Sequence, residues 1–150
     1  HDRLAQLGPE AVLETLDRFE QDRLEIAEQD PVQATRAPKF AKSDGTVSFD
    51  QPARLVRARI HGLTPWPGCT VTVNGDRLRL HRVRDVAGDG DGKETAATGA
   101  LLENGPIACF EGAIEPLEVQ PPGGRVMTFD DYRRGRDLQP GARFEPLRFD

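Results

Sequence analysis

The stretch Leu63-Thr64-Pro65-Trp66-Pro67-Gly68 limits what its surroundings can form more than any other part of the chain. Each of its two prolines fixes φ and removes a backbone N–H, so neither a helix nor a strand ladder can run through it. Upstream, Val56, Ile60 and Leu63 recur at helical spacing, and Arg54, Arg57 and His61 form a second, basic stripe that should face solvent. The pattern predicts a helix capped by Asp50, with Pro52 in its first turn, that stops near Gly62. Downstream, residues 69–73 and 77–86 alternate in hydropathy around Asn74-Gly75, a dipeptide that suits a tight hairpin turn because both residues tolerate positive φ. Leu78 and Leu80 would lie on one face, and Arg77, Arg79 and His81 on the other. The alternation fails at Arg82 and Val83, which predicts a bulge or sharp bend. Trp66 has two readings that do not exclude each other: its ring plugs a barrel end, or its turn pins two basic elements to one side of a β domain.

The 150 residues allow one domain with a real core, and 15 glycines and 12 prolines favour turn-rich β structure over a helical bundle. No apolar run approaches the roughly 18 to 20 residues of a membrane span, and no signal-peptide pattern opens the chain. The expectation is a cytoplasmic chain with no membrane partner. It starts at His1 within a helix-like pattern, which suggests a piece of a longer polypeptide. Cys69 and Cys109 sit in separate apolar runs and read as two buried thiols, since the cysteine density is far below that of small disulfide scaffolds. His1, His61 and His81 form no paired metal motif with them.

In chain order, Leu4 and Leu7 precede an expected break at Gly8-Pro9-Glu10, after which Val12, Leu16 and Phe19 define an amphipathic helix with Leu13 widening its apolar face. Residues 27–46 read as an extended connector, with Asp30-Pro31 and Ala37-Pro38 opposing helix and Asp44-Gly45 marking a turn. The loop Gly88-Asp89-Gly90-Asp91-Gly92 superficially resembles a calcium loop, but the alignment puts Ala87 at the first ligand position and Thr98 at the last. Short strands are expected near 98–103, 106–110 and 113–120. Thr128 should cap a helix that stops at Gly135. The fold class that follows is mainly β: a small Greek-key, OB-like barrel with short flanking helices, preceded by an N-terminal helix and an extended linker. Its expected divisions are 1–29, 30–46 and 47–150.

Charge is unevenly spread. Residues 1–35 are net minus six and residues 36–150 net plus one, whereas the window 54–84 holds seven arginines against Asp76 alone. Guanidinium groups pair with phosphate oxygens and release counterions, so such a window suits a nucleic-acid backbone. It also suits a solvated face balanced by acids from elsewhere in the fold. Lys39, Lys42, Arg54, Arg57, Arg77, Arg79 and Arg82 are the candidate phosphate contacts, acting as charge donors rather than base readers.

Several motifs resemble those of the methionyl-tRNA formyltransferase family. Residues 33–45, QATRAPKFAKSDG, are similar to that family's linker; residues 60–68, IHGLTPWPG, to its IRAFNPWPG run; and residues 117–127, LEVQPPGGRVM, to its LQPxGKKxM segment. The resemblance covers nearly the whole chain, with residues 1–28 similar to the helix that ends the family's catalytic domain. It departs at Arg36, where the family usually has Tyr, and at Val47-Ser48-Phe49, where IDW is common. The resemblance implies formyl transfer from 10-formyltetrahydrofolate, as co-substrate, to methionine on initiator methionyl-tRNA. The family's catalytic Asn, His and Asp lie in an N-terminal Rossmann-like domain, and nothing here matches them. No catalytic, cofactor-binding or metal residues are therefore assigned, and this chain alone should be inactive. Its expected partners are the initiator tRNA and the catalytic domain. Formyltransferases acting on sugar nucleotides or folate carry similar C-terminal domains, so a mainly structural role in such an enzyme is the alternative.

Overall fold

A computed structural model describes residues 2–86 and 96–148. The expected glycine-rich loop at 88–92 lies outside the described residues. The chain divides into two units, His1–Pro38 and Lys39–Asp150.

The first unit is built on α1, Asp2–Glu20, which buries none of its residues. The expected break at Gly8-Pro9-Glu10 does not occur, and the helix runs through Pro9. Gly8, lacking a Cβ, removes one of the clashes a proline ring makes with its neighbours, while the missing N–H and the crowding of the Ala5 carbonyl remain. Leu4, Leu7, Val12, Leu13, Leu16 and Phe19 are all exposed. Asp22 closes the helix with φ of 55°, and farther on Asp30 Oδ1 accepts from Val32 N–H at 2.9 Å in a turn.

The second unit is a barrel. Its strands are β1 (Cys69–Val73), β2 (Asp76–Val86), β3 (Ile107–Ala108), β4 (Ala113–Gln120), β5 (Met127–Thr128) and β6 (Phe144–Pro146), with α2 (Ala53–Gly62) and α3 (Phe129–Arg136) flanking them. The ladder order is β3-β4-β2-β1-β6, antiparallel at every named pair, and β5 joins β4. Ala100 bridges Arg143 beside β6, and Leu101 bridges Ile107 in β3, so the segment around 100 nearly closes the sheet on itself. Closure hides the edges that an open sheet of such short strands would present to solvent. The mainly β, OB-like barrel with flanking helices is the fold expected from sequence.

Asn74 and Gly75, with φ of 51° and 83°, make the β1–β2 turn, and the register Thr72–Arg77, Thr70–Arg79 follows from it. Val56 and Ile60 enter the core from α2, with Leu63 at its C-cap, and join Val71, Leu78 and Leu80 in one continuous apolar cluster. At α3, Thr128 accepts from Asp131 N–H at 3.2 Å as expected of a cap, but the helix passes Gly135 and ends with Asp137 in a left-handed conformation. The other cap prediction fails. Pro52 occupies the N-cap of α2, and Asp50 instead accepts hydrogen bonds from the Ser48 and Thr98 hydroxyls.

The register of β2 against β4 shifts between Leu80 and Arg82 and again between Arg82 and Val83. This bulge solves a patterning problem. Strict alternation from Leu78 and Leu80 would aim Arg82 and Arg84 into the core. The extra residue returns Val83 to the interior, 3% exposed, and leaves both arginines outside.

Candidate nucleic-acid interface

Trp66 plugs nothing: its residue is 57% exposed. The turn that carries it is held from behind instead. Arg79 Nη2 donates to the Pro67 carbonyl at 3.1 Å and also to the Pro65 carbonyl, so one guanidinium gathers the backbone on both sides of the indole. Gly68 N–H donates to Leu63 O at 2.8 Å and closes the loop, whose Thr64-Pro65 and Trp66-Pro67 bonds are both cis. Gly68 has φ of 78° and lies against the Arg79 guanidinium, where a Cβ would collide. Gly45 lies against the Gly68 carbonyl just as tightly. The 3-10 turn Lys42–Gly45 is fixed in turn by Arg59, whose Nε and Nη2 donate to Thr46 O at 2.7 Å and Asp44 O at 2.6 Å. Two motifs more than twenty residues apart in sequence therefore form one packed unit, because glycine alone permits the approach.

The seven candidate contacts fall into three groups. Lys39, Lys42, Arg54 and Arg77 are exposed and have no hydrogen-bond or ion-pair partner among the described residues. Arg57 and Arg82 face acids: Arg57 Nε is 2.8 Å from Asp85 Oδ1, a charge contact not aligned as a hydrogen bond, and Arg82 Nη1 is 3.0 Å from Glu118 Oε1. Arg79 commits its Nη2 to the Trp66 turn. Two further arginines of the basic window are also engaged, Arg59 by carbonyls and Arg84 by Glu115. The predicted solvent-facing stripe on α2 is thus only partly free.

His61 belongs to the bulge rather than to a ligand site. The displaced Val83 N–H donates to His61 Nε2 at 3.2 Å, which requires that nitrogen to be unprotonated. Burial, reinforced by the Arg57 charge, holds the imidazole below its ordinary pKa. Cys69 and Cys109 are free and buried, and burial pushes both thiols up to about 11, far from a reactive thiolate. Among the described residues no cluster of His, Cys, Asp and Glu is arranged to hold a metal ion, and no helix is long and apolar enough to cross a membrane.

On the outer face of the hairpin, Arg77 and Arg79 share a cleft of about 310 Å3 with Thr70, Gln120, Leu147 and the turn Pro121-Pro122-Gly123. Gln120 is fixed on both sides, its Oε1 2.9 Å from His81 Nε2 and its Nε2 donating to Gly124 O at 2.8 Å. Sequence reasoning missed Thr70 and Gln120. Thr70 could have been found from the two-residue turn, which sets it opposite Arg79. Gln120 could not, because its place depends on a ladder formed across the bulge.

Residues 39–137 match the family described as formyl transferase, C-terminal domain. Methionyl-tRNA formyltransferase of Ectopseudomonas mendocina (strain ymp) is 37% identical over 139 residues, covering 93% of this chain and 44% of that protein. The proteins of the same name from Solibacter usitatus and Heliobacterium modesticaldum are 38% and 37% identical, over 91% and 96% of this chain and 43% and 48% of their own lengths. The chain spans less than half the length of these curated relatives. The barrel and the matched span coincide over most of the second unit, and the chain belongs to the formyl transferase C-terminal domain family.

Proposed function

We propose that this chain is the C-terminal part of a methionyl-tRNA formyltransferase and that its second unit holds initiator methionyl-tRNA for N-formylation. In this reading the formyl group comes from 10-formyltetrahydrofolate, bound in a Rossmann-like catalytic domain of the same polypeptide, and the chain alone transfers nothing. Residues 1–29 would be the last helix of that domain and 30–46 the linker. The role is positional: gripping the tRNA removes part of the entropic cost of bringing methionyl amine and formyl donor together. Phosphate contacts fix register without reading sequence. The observation that carries the proposal is that the charges of Lys39, Lys42, Arg54 and Arg77 are paired by no side chain among the described residues. Arg57 and Arg82 would exchange a carboxylate for a phosphate, which costs little because exposed ion pairs contribute only about 0–1 kcal/mol. Arg79 contributes mainly through the turn it holds.

The engagement of Arg57, Arg79 and Arg82 is what a structural domain of a sugar-nucleotide or folate formyltransferase would also display. Titrating labelled initiator tRNA with this chain over a salt series separates the two. The tRNA reading expects binding at low salt, and a slope of log K against log salt that becomes shallower by roughly 3 units when Lys39, Lys42, Arg54 and Arg77 are all changed to Gln. No binding, or a slope indifferent to the four changes, contradicts it.

A further inference from the structure

Among the clefts of the described residues, three are of similar size, and their charges differ. The one between Phe49 and Arg148 is lined by Asp50 and Glu145 as well as arginines, and the one at the end of α3 by Asp130 and Asp137. Among the described residues, the hairpin cleft is lined by two guanidiniums and no carboxylate. One of those guanidiniums, Arg79, is committed to carbonyls; the other, Arg77, has no partner among the described residues. The nearest acid in sequence, Asp76, pairs with Arg136. Thr70 and Gln120 add polar groups from two neighbouring strands, so three strands converge on a space suited to a single anion. Arg79 also ties this cleft to the Trp66 turn. The same side chain lines the cleft and holds the carbonyls flanking an indole that is more than half exposed.

An exposed tryptophan on a turn held by an arginine, close to a basic cleft with no carboxylate among its described lining, is a combination by which proteins take hold of nucleotides outside regular helices: the π-face stacks on a base while a guanidinium receives the phosphate. We propose that the hairpin cleft binds one phosphodiester of a non-helical RNA segment, with Arg77 as its ligand and Trp66 stacking on the adjoining base. Arg79 is a positioning residue that presents the indole. This rests on the RNA-binding reading above and deepens it, by separating one nucleotide site from diffuse attraction to a polyanion. A duplex, whose bases are stacked on one another, has no face to offer Trp66.

Trp66 is the sole tryptophan of the chain, so its emission reports the site without a label. The test titrates the chain with a single-stranded oligoribonucleotide, with the same sequence as a duplex, with inorganic phosphate and with initiator tRNA. The expected result is quenching of Trp66 by the single strand and by tRNA, at least threefold weaker affinity for the duplex, and a single-strand salt slope shallower by about 0.7 in Arg77→Gln, restored in Arg77→Lys. Arg79→Ala should keep most of the affinity while the quenching amplitude falls, a signature that simple loss of charge would not produce. If tRNA binds with Trp66 emission unchanged and the Arg77→Gln slope equals that of the parent, the cleft proposal is overturned while the tRNA reading stands. If the single strand quenches but tRNA does not bind, the tRNA reading falls and the nucleotide cleft survives. Quenching by inorganic phosphate equal to that by RNA assigns the site to a free anion and overturns the stacking role.

Discussion

The two halves of β2 have nearly the same composition and opposite fates. Before the bulge, Arg77 and Arg79 face Thr72 and Thr70 across the hairpin, with Gln120 beyond, and meet no carboxylate among the described residues of the cleft they line. After it, Arg82 and Arg84 face Glu118 and Glu115, and each forms an ion pair. Read as a window, all four are equal units of positive charge. In the fold, one half of the strand keeps an open basic cleft and builds a turn, while the other is largely neutralised at its own surface. Net charge over a stretch of sequence therefore overstates what a partner meets, because the ladder decides which acid stands opposite each base.

The largest effect that would test this contrast lies where the first half is built. Gly45→Ala sets a methyl against the Gly68 backbone carbonyl, which cannot swing aside as a side chain could. A loss of about 3 kcal/mol in urea unfolding is expected. A loss below about 1 kcal/mol would mean that the two turns are not packed as one unit. Next, Arg79→Ala leaves the Pro65 and Pro67 carbonyls without their charged donor, for an expected loss of about 2 kcal/mol. Arg82→Ala, across the bulge, should cost no more than about 0.5 kcal/mol, since it removes only an exposed ion pair. Equal losses would erase the comparison.

Smaller again is a pH effect at the hinge between the halves. The lowered folded pKa of His61, caused first by burial and then by Arg57, means that the unfolded chain takes up this proton first as pH falls below about 6.5. The stability that the neutral ring contributes is complete above that value and drains as pH falls through it toward the folded pKa. His61→Gln, whose side-chain oxygen can still accept from Val83 N–H, should flatten this part of the stability profile. An unchanged profile would show that the ring does not titrate against the bulge. The smallest effect expected is the coupling between Arg84 and Glu115 in a double-mutant cycle, about 0.5 kcal/mol and weaker in high salt.

How legible each half was depends on range. The Asn74-Gly75 turn set the hairpin register locally, and the lapse in alternation at Arg82-Val83 marked the bulge, because both follow from backbone rules over a few residues. The partners of the arginines were not legible. Glu115 and Glu118 stand opposite them only through the shifted β4 ladder, and nothing near Trp66 in sequence announces that Arg79 will hold its turn and leave the ring exposed. β5 and β6, of two and three residues, had no periodicity to read; their partners define them. Pro9 misled because the helix tolerates it in mid-run, where Gly8 removes only one of its clashes. The family motifs identified the PWPG turn and the AKSDG segment separately. Their contact through Gly45 and Gly68 belongs to the fold.

The claim on which the rest depends is that Arg77, before the bulge, meets RNA and that Arg84, after it, does not. The direct measurement is the salt dependence of initiator-tRNA binding by this chain carrying either Arg77→Gln or Arg84→Gln. The account predicts a slope shallower by about 0.7 to 0.9 for the first and no change for the second. Equal slopes in the two variants, or a loss confined to Arg84→Gln, would contradict it.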